Sequence, residues 1–331
     1  MMQILKKLQS LSPLQHLMVV VLAGVLWFLP DVCGTPYPQE TYAFVVLNRY
    51  QWFALPALWA HIVQYLCWTA IVYWITLMCE HYRILPMRSA LPVIILLTAG
   101  AANSRWQFFD ASTVAFVGLL LTLSQLLSMY EQKRECIAQT FNCGLFIMCA
   151  VLFDFDYVWL IPLVLFGFIL FGALTARTFC TFLAGIFMPL FLVAGGFFLA
   201  DRLPELAAGI PAPALFDLRR ITTPFASEVA FTATLFTVFA GSLLCRFVSG
   251  SNYNLHTRLN YLFINCGLVY TLIVAILFMR FDALLLVPIT FLLLIICFYF
   301  ATNTTTKCAN ILFWIFLTAV VVCRTLFAFG F

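Results

Sequence analysis

The sequence predicts an all-α integral membrane protein, a single bundle of about 10 to 11 transmembrane helices. Of its 331 residues, 64% are hydrophobic and only 9% are charged, which is too apolar for a water-soluble globule. The apolar residues gather in runs of roughly 20, the length of helix that crosses a bilayer. Because lipid offers the backbone no hydrogen-bond partner, these runs are expected to be helices packed on one another.

Short polar connectors divide the apolar sequence into the expected helices. In chain order these are 13–29, 53–79, 89–102, 111–130, the arms of a hairpin at 142–171, 179–200, 225–248, the arms of a second hairpin at 265–298, and 308–329. The first run follows Lys6 and Lys7 but lacks a small-x-small cleavage site, so it is predicted to be an uncleaved span. Since no linker is long enough to separate domains, residues 1–331 are predicted to form one polytopic domain.

The third apolar run, 89–102, is short for a membrane span. It has three interpretations: a re-entrant segment, a tilted short helix, or a helix that residues 103–107 extend within the protein interior. The sequence alone leaves the choice among them open.

A helical hairpin with an acid at its tip occurs twice, at 142–171 and at 265–298. The NCGL tetrapeptide at 142–145 returns at 265–268, and the Phe-Asp pair at 155–156 returns at 281–282. In both copies a proline, Pro162 or Pro288, follows the aspartate by six residues. The two copies enter the membrane from the same side if all the predicted helices span, so the sequence predicts a parallel repeat.

The distribution of charge predicts the orientation of the bundle. Threading the spans from a cytoplasmic N-terminus puts ten lysines and arginines with three acids on the inner side, and seven arginines with ten acids on the outer side. The positive-inside rule favours this arrangement. The N-terminus is therefore predicted to be cytoplasmic, and the C-terminus to lie on the outer side.

The outer side carries arginines but no lysine, a bias that the positive-inside rule does not explain. A guanidinium group presents a planar fork of donors that matches phosphate or carboxylate, whereas an ammonium group is a point charge. The candidate anion-binding residues are Arg49, Arg105, Arg202, Arg219, Arg220 and Arg280. The substrate class that they suggest is a phosphate-bearing lipid, such as a polyprenyl-linked sugar. The alternative is local ion pairing, as between the adjacent Asp201 and Arg202.

Acidic residues lie at the tips of the predicted hairpins, and the candidate catalytic residues are Asp110, Asp156 and Asp282. A carboxylate there would act as a general base toward a sugar hydroxyl, or would hold a divalent ion against a phosphate. The alternative is helix capping, because a carboxylate ahead of a helix accepts hydrogen bonds from its free N–H groups. Asp110, which precedes Ala-Ser-Thr, and Asp156, which precedes Tyr157, both fit capping.

Polar residues inside the spans are costly in lipid and are candidates for function or for interhelix bonding. His61 and Gln64 lie one turn apart on the second helix, facing either a polar cavity or a neighbouring helix. Arg324 lies near the C-terminus, where its long side chain is expected to extend to the membrane surface. The cysteines are interpreted as packing residues, and neither a metal site nor a cofactor is expected.

Three blocks, at 81–100, 141–171 and 176–195, each carry a recognisable arrangement of residues. In the first, an arginine-serine pair precedes a proline-led short helix. In the second, a glycine-bearing helix precedes an acidic turn, and in the third, an arginine-containing turn precedes a helix with glycine and proline. The residues concerned are Arg88, Ser89, Pro92, Gly144, Arg177, Gly185 and Pro189. The pattern resembles a domain-of-unknown-function family of polytopic inner-membrane proteins from Bacteroidota, although those proteins often carry an acid where this chain has Thr178. The resemblance implies a bacterial inner membrane, so that the outer side predicted for the C-terminus is the periplasm, and an envelope role, with no established activity.

Together these features predict a component that handles an anionic, lipid-linked envelope intermediate at the outer face, as a glycan transferase, polymerase or flippase component. The alternative is a non-enzymatic subunit of a larger envelope membrane complex. A catalyst or carrier needs a polar cavity reached from the outer leaflet, whereas a subunit needs a filled interior and an apolar contact face. The expected partners are membrane lipids, a polyprenyl-linked or other anionic glycolipid and membrane proteins, and nucleic acid is not expected.

Overall fold

The computed structural model consists of α-helices and short 3-10 turns, without a strand in the part of the chain that it describes. That part comprises residues 5, 8, 13–33, 57–85, 89–107, 109–130, 136–204, 206, 226–248, 254–278, 286–304 and 306–328. Its α-helices are α1 Pro13–Cys33, α2 Ala57–His81, α3 Leu91–Ala102, α4 Ala111–Ser128, α5 Ile137–Phe153, α6 Ile161–Leu170, α7 Ala176–Leu199, α8 Ala226–Val248, α9 Leu255–Phe278, α10 Leu286–Thr302 and α11 Lys307–Ala328. The 3-10 turns are Ser104–Gln107 and Phe155–Leu160.

Among the described residues, six helices are long and apolar enough to cross a membrane: α1, α2, α4, α7, α9 and α11. The chain is therefore an all-α, multi-pass membrane protein, as its composition predicts. The number of spans and the parallel repeat stay predictions. The first hairpin appears as α5, the Phe155–Leu160 turn and α6, but the tip of the second, 279–285 with Asp282, lies outside the described residues.

Two short helices, α3 and α10, form the centre of the bundle. Both are apolar around their whole circumference, so they are stable only where neighbouring helices cover every face. In α3 every residue except Thr98 is buried, and in α10 burial is continuous from Leu286 to Ala301. Helices α1, α2, α10 and α11 surround α3. The Ser104–Gln107 turn continues α3 within the interior, which agrees with the third of the interpretations of this segment.

A second group of helices is built around α5, which lies between α4 and α7. The contact of α5 with α7 depends on two glycines that face each other. A Cβ atom at Gly144 would lie 2.2 Å from the Phe182 carbonyl oxygen, and one at Gly185 would lie 2.3 Å from the Phe141 carbonyl oxygen. Both distances are shorter than any real contact of this kind, so the close approach of the two backbones requires glycine at both positions.

The direction of the helices defines two ends of the bundle. Helix α4 runs from its N-cap residue, Asp110, toward Tyr130. Helix α5 runs in the opposite direction and ends at its C-cap residue, Asp154. Helix α6 then runs back to Phe171, whose ring lies 6.4 Å from that of Tyr130. We refer to the end with Asp110 and Asp154 as the Asp110 end, and to the end with Tyr130 and Phe171 as the Tyr130 end.

Candidate functional site

Two acidic turns meet at the Asp110 end. Asp110 caps α4, because its Oδ1 accepts a hydrogen bond of 3.1 Å from the Thr113 N–H. Asp154 caps the Phe155–Leu160 turn, where its Oδ1 accepts from the Asp156 N–H at 3.1 Å. The turns are joined by Ser112, whose hydroxyl donates to Asp154 Oδ2 at 2.9 Å. Three carboxylates, of Asp110, Asp154 and Asp156, thus belong to adjoining turns of two different hairpins.

The environment of Asp110 favours its protonated form. Burial of the carboxyl group is the main cause and raises its pKa to about 6, while the hydrogen bonds from Thr113 act in the opposite direction. The negative charge of Asp154 adds to the increase. Asp110 is partly exposed, whereas Asp154 and Asp156 are buried. At neutral pH the Asp110 carboxylate is therefore a stronger proton acceptor than an ordinary aspartate.

A buried amide connects the acidic turns to α2. The Gln64 amide donates to the Trp106 carbonyl oxygen at 2.8 Å, and its Oε1 accepts from the Thr113 hydroxyl at 3.2 Å. Gln64 is 2% exposed, so both bonds lie inside the protein. Of the two interpretations of this residue, the contacts support bonding between helices.

Arg324 is fully buried, which contradicts the expectation that it extends to the membrane surface. Its Nε donates to the Leu26 carbonyl oxygen at 2.8 Å, and its Nη2 donates to Trp27 O at 2.5 Å and to Gln107 Oε1 at 2.9 Å. The reason lies in Pro30, which is inside α1 and has no N–H to donate to the carbonyl of Leu26, four residues earlier. The guanidinium group supplies the donor that the proline lacks.

A histidine-aspartate pair lies beside this arginine. His61 Nδ1 is 2.9 Å from Asp31 Oδ2, and His61 is almost fully buried while Asp31 is about one-third exposed. The Asp31 carboxylate and the Arg324 cation both act electrostatically on His61. His61 thus lies within the electrostatic range of both an acid and a buried cation.

We call the hydrogen-bonded side chains at the Asp110 end the polar network. Its members are Asp31, His61, Gln64, Gln107, Asp110, Ser112, Thr113, Asp154 and Arg324. They come from α1, α2, α4 and α11 and from the turns that follow α3 and α5. Within the part of the chain that the structure describes, no group of three or more His, Cys, Asp or Glu side chains has the geometry of a metal site.

The candidate residues from the sequence are only partly placed. Asp110 and Asp156 belong to the two turns that Ser112 and Asp154 join, and Asp154 rather than Asp156 is the capping residue. Arg105 belongs to the Ser104–Gln107 turn, at the same end, and Arg202 is exposed just beyond the end of α7. The others lie outside the described residues; they are Asp282, Arg49, Arg219, Arg220 and Arg280.

Sequence reasoning missed the partnership of Asp31 with His61 and the role of Arg324. A proline within an apolar helix, here Pro30, signals a carbonyl without its usual donor. An arginine in another span, here Arg324, is the kind of side chain that satisfies it. Those two signals together would have pointed to a contact between the first and last spans.

The pH dependence of stability provides a test of the environment of Asp110. Its folded pKa of about 6 exceeds the ordinary value of 3.8, so this group's stabilising contribution is full below 3.8 and is lost as pH rises through 6. The Asp110→Asn variant retains a residue that caps helices well, but the asparagine side chain does not titrate. We expect the free energy of unfolding in detergent micelles to fall from about pH 4 to 7 more steeply in the wild type than in the variant.

Glu80→Gln is the matched control, since it removes an exposed negative charge at the other end of α2. It is expected to leave the pH profile of the wild type unchanged. If the free energy of unfolding had the same pH dependence in the wild type and in Asp110→Asn, this would contradict a raised pKa of Asp110 in the folded protein.

Comparisons with known proteins add no assignment. No protein-family model matches the chain, and neither does any curated protein or any solved structure. The resemblance to the Bacteroidota family therefore stays a prediction.

Proposed function

We propose that the protein handles an anionic, lipid-linked envelope intermediate at the Asp110 end of the bundle, with Asp110 as the proton acceptor. The observation that supports this most is the meeting of the two acidic turns. It places the carboxyl group of Asp110, a partly exposed residue, near the Asp154 carboxylate, and a pKa of about 6 suits Asp110 to accept a proton from a hydroxyl group near neutral pH. Arg105, in the turn that follows α3, is the candidate for holding phosphate.

The orientation and the number of spans belong to the same proposal. The protein has about eleven spans in a bacterial inner membrane, with a cytoplasmic N-terminus, so that the Asp110 end faces the periplasm. Reporter fusions at 331 and after residue 130 test this topology: an enzyme that folds only in the periplasm should be active at 331 and inactive after 130. The reverse pattern would place the acidic turns in the cytoplasm and exclude the proposed substrate side.

Extraction into native-membrane nanodiscs, followed by mass spectrometry of the retained lipids, tests the proposed substrate. We expect a polyprenyl phosphate or a similar anionic glycolipid to be enriched with the wild type and lost with the Arg105→Ala, Arg280→Ala double variant. Arg258→Ala, Lys307→Ala is the control, since it removes two exposed cations that the proposed topology puts on the opposite face. Asp110→Asn should retain the lipid, because it removes a base and no cation.

A second candidate function is that of a non-enzymatic subunit in an envelope complex. The observation that favours it is the use of the polar side chains of Gln64, Gln107 and Arg324 in bonds between helices, which is the role of packing residues. A subunit should retain lipids in the proportions of the bulk membrane in every variant. Enrichment of one anionic lipid that depends on Arg105 and Arg280 would exclude it as the sole function.

A further inference from the structure

A cleft of about 580 Å³ lies at the Tyr130 end, on the face opposite the polar network. It is lined by residues that end α4, begin α5, follow α6 and begin α7, and its volume is within the range of small-molecule sites. We propose that this cleft binds the phosphate headgroup of a membrane lipid. This inference is separate from the proposed function, because the two sites lie at opposite ends of the bundle.

The lining of the cleft combines cationic, hydroxyl and aromatic groups. Arg177 is exposed in the first turn of α7 and supplies the positive charge. The Tyr130 ring stacks on His256 at a centroid distance of 4.3 Å, which holds its phenol group at the wall of the cleft. Thr175 and Thr178 form a reciprocal capping box, with a bond of 3.2 Å from the Thr178 N–H to Thr175 Oγ1, and so fix the start of the helix that carries Arg177.

The position of the cleft favours a lipid over a soluble anion. Two candidate spans have their ends here, since α4 ends at Ser128 and α7 begins at Ala176. If both helices cross the membrane, the cleft is level with the membrane surface. Leu174 and Phe179, on either side of Arg177, are exposed and apolar. Further along α7, Phe187 and other large apolar side chains are exposed as well. A headgroup in the cleft would therefore have its acyl chains against an apolar helix face.

Native mass spectrometry of the full-length protein in detergent, with phosphatidylglycerol added, tests the proposal. We expect Arg177→Gln to weaken phosphatidylglycerol binding about fivefold, the contribution of one arginine near a membrane surface. Ala173→Phe should weaken it as well, since a phenyl ring would fill the cleft without a change of charge. Arg258→Gln is the matched control, because Arg258 is an exposed arginine of α9 that does not line the cleft.

Binding is expressed relative to phosphatidylcholine in the same sample, so that partial unfolding lowers both signals and does not imitate the result. Equal losses for Arg177→Gln and Arg258→Gln would overturn the proposal, as would binding that Ala173→Phe leaves intact. The last measurement is a competition between phosphatidylglycerol and inorganic phosphate. If it displaces phosphatidylglycerol from the wild type at the concentration at which it binds on its own, the cleft takes a soluble phosphate and the lipid assignment is wrong.

Discussion

Arg324→Met is expected to destabilise the protein by about 2 to 4 kcal/mol, one of the largest effects of any single substitution in this chain. Methionine fills much of the volume but donates no hydrogen bond. The carbonyl oxygens of Leu26 and Trp27 and the amide oxygen of Gln107 would each lose a donor inside the protein. Unfolding in mixed micelles, titrated with a denaturing detergent and followed by circular dichroism, measures the change.

The role of Pro30 in this contact is tested by a double-mutant cycle. Pro30→Ala restores an N–H that bonds the Leu26 carbonyl within α1, so Arg324→Met should cost about 1 kcal/mol less in that background than in the wild type. Arg202→Met is the control for loss of an exposed arginine and should change the free energy of unfolding by no more than about 0.5 kcal/mol. If Arg324→Met lowers the free energy of unfolding by no more than Arg202→Met does, the buried contacts of Arg324 do not stabilise the fold.

Gly144→Ala and Gly185→Ala are each expected to lower the free energy of unfolding by about 3 kcal/mol. In either variant the new methyl group would overlap a backbone carbonyl oxygen of the facing helix, at 2.2 Å or 2.3 Å. Backbone atoms cannot turn away as a flexible side chain can, so α5 and α7 must separate. Because α7 packs chiefly on α5, the separation also weakens the attachment of α7 to the bundle.

The same helix contains the controls for this effect. A Cβ atom at Gly195 or at Gly196 would meet nothing within 4 Å. Gly195→Ala and Gly196→Ala should therefore be neutral, or stabilising by about 0.5 to 1 kcal/mol through the higher helix propensity of alanine. The distance between spin labels on exposed positions of α5 and α7 should increase only in the Gly144 and Gly185 variants. An unchanged distance there would show that the contact adapts without separation of the helices.

The local features of the fold could be predicted from the sequence. The apolar run after Asp110 predicts helix α4, and the position of Asp110 directly before Ala-Ser-Thr predicts the N-cap that the structure shows. For the short run at 89–102 the sequence predicts three alternatives, and the burial of Trp106 and Gln107 agrees with the one in which residues 103–107 extend the helix within the protein interior. Each of these features depends on residues that are close together in the chain, where spacing and residue type are informative.

Contacts between distant segments could not be predicted in the same way. The sequence places Asp110 and Asp156 at hairpin tips, but periodicity does not say which hairpins are neighbours, so the bond between Ser112 and Asp154 was not foreseen. Arg324 is a second example: its distance from the chain terminus suggests a surface position, whereas its hydrogen-bond partners lie in α1 and in the turn that follows α3. In a membrane bundle nearly every helix is apolar, and hydrophobic patterning therefore carries little information about which faces meet.

The enclosure of α3 has a consequence for the biogenesis of the protein. With 12 residues, α3 is about 18 Å long, while the hydrocarbon core of a bilayer is roughly 30 Å thick. As it leaves the ribosome, α3 cannot become a stable membrane segment by itself, because its termini would be held in lipid. Two of the helices that enclose it, α10 and α11, are translated well after it. We therefore expect insertion of α3 to be completed only after α10 and α11 have been translated, and truncation before α10 to leave this segment at the insertion machinery or at the membrane surface.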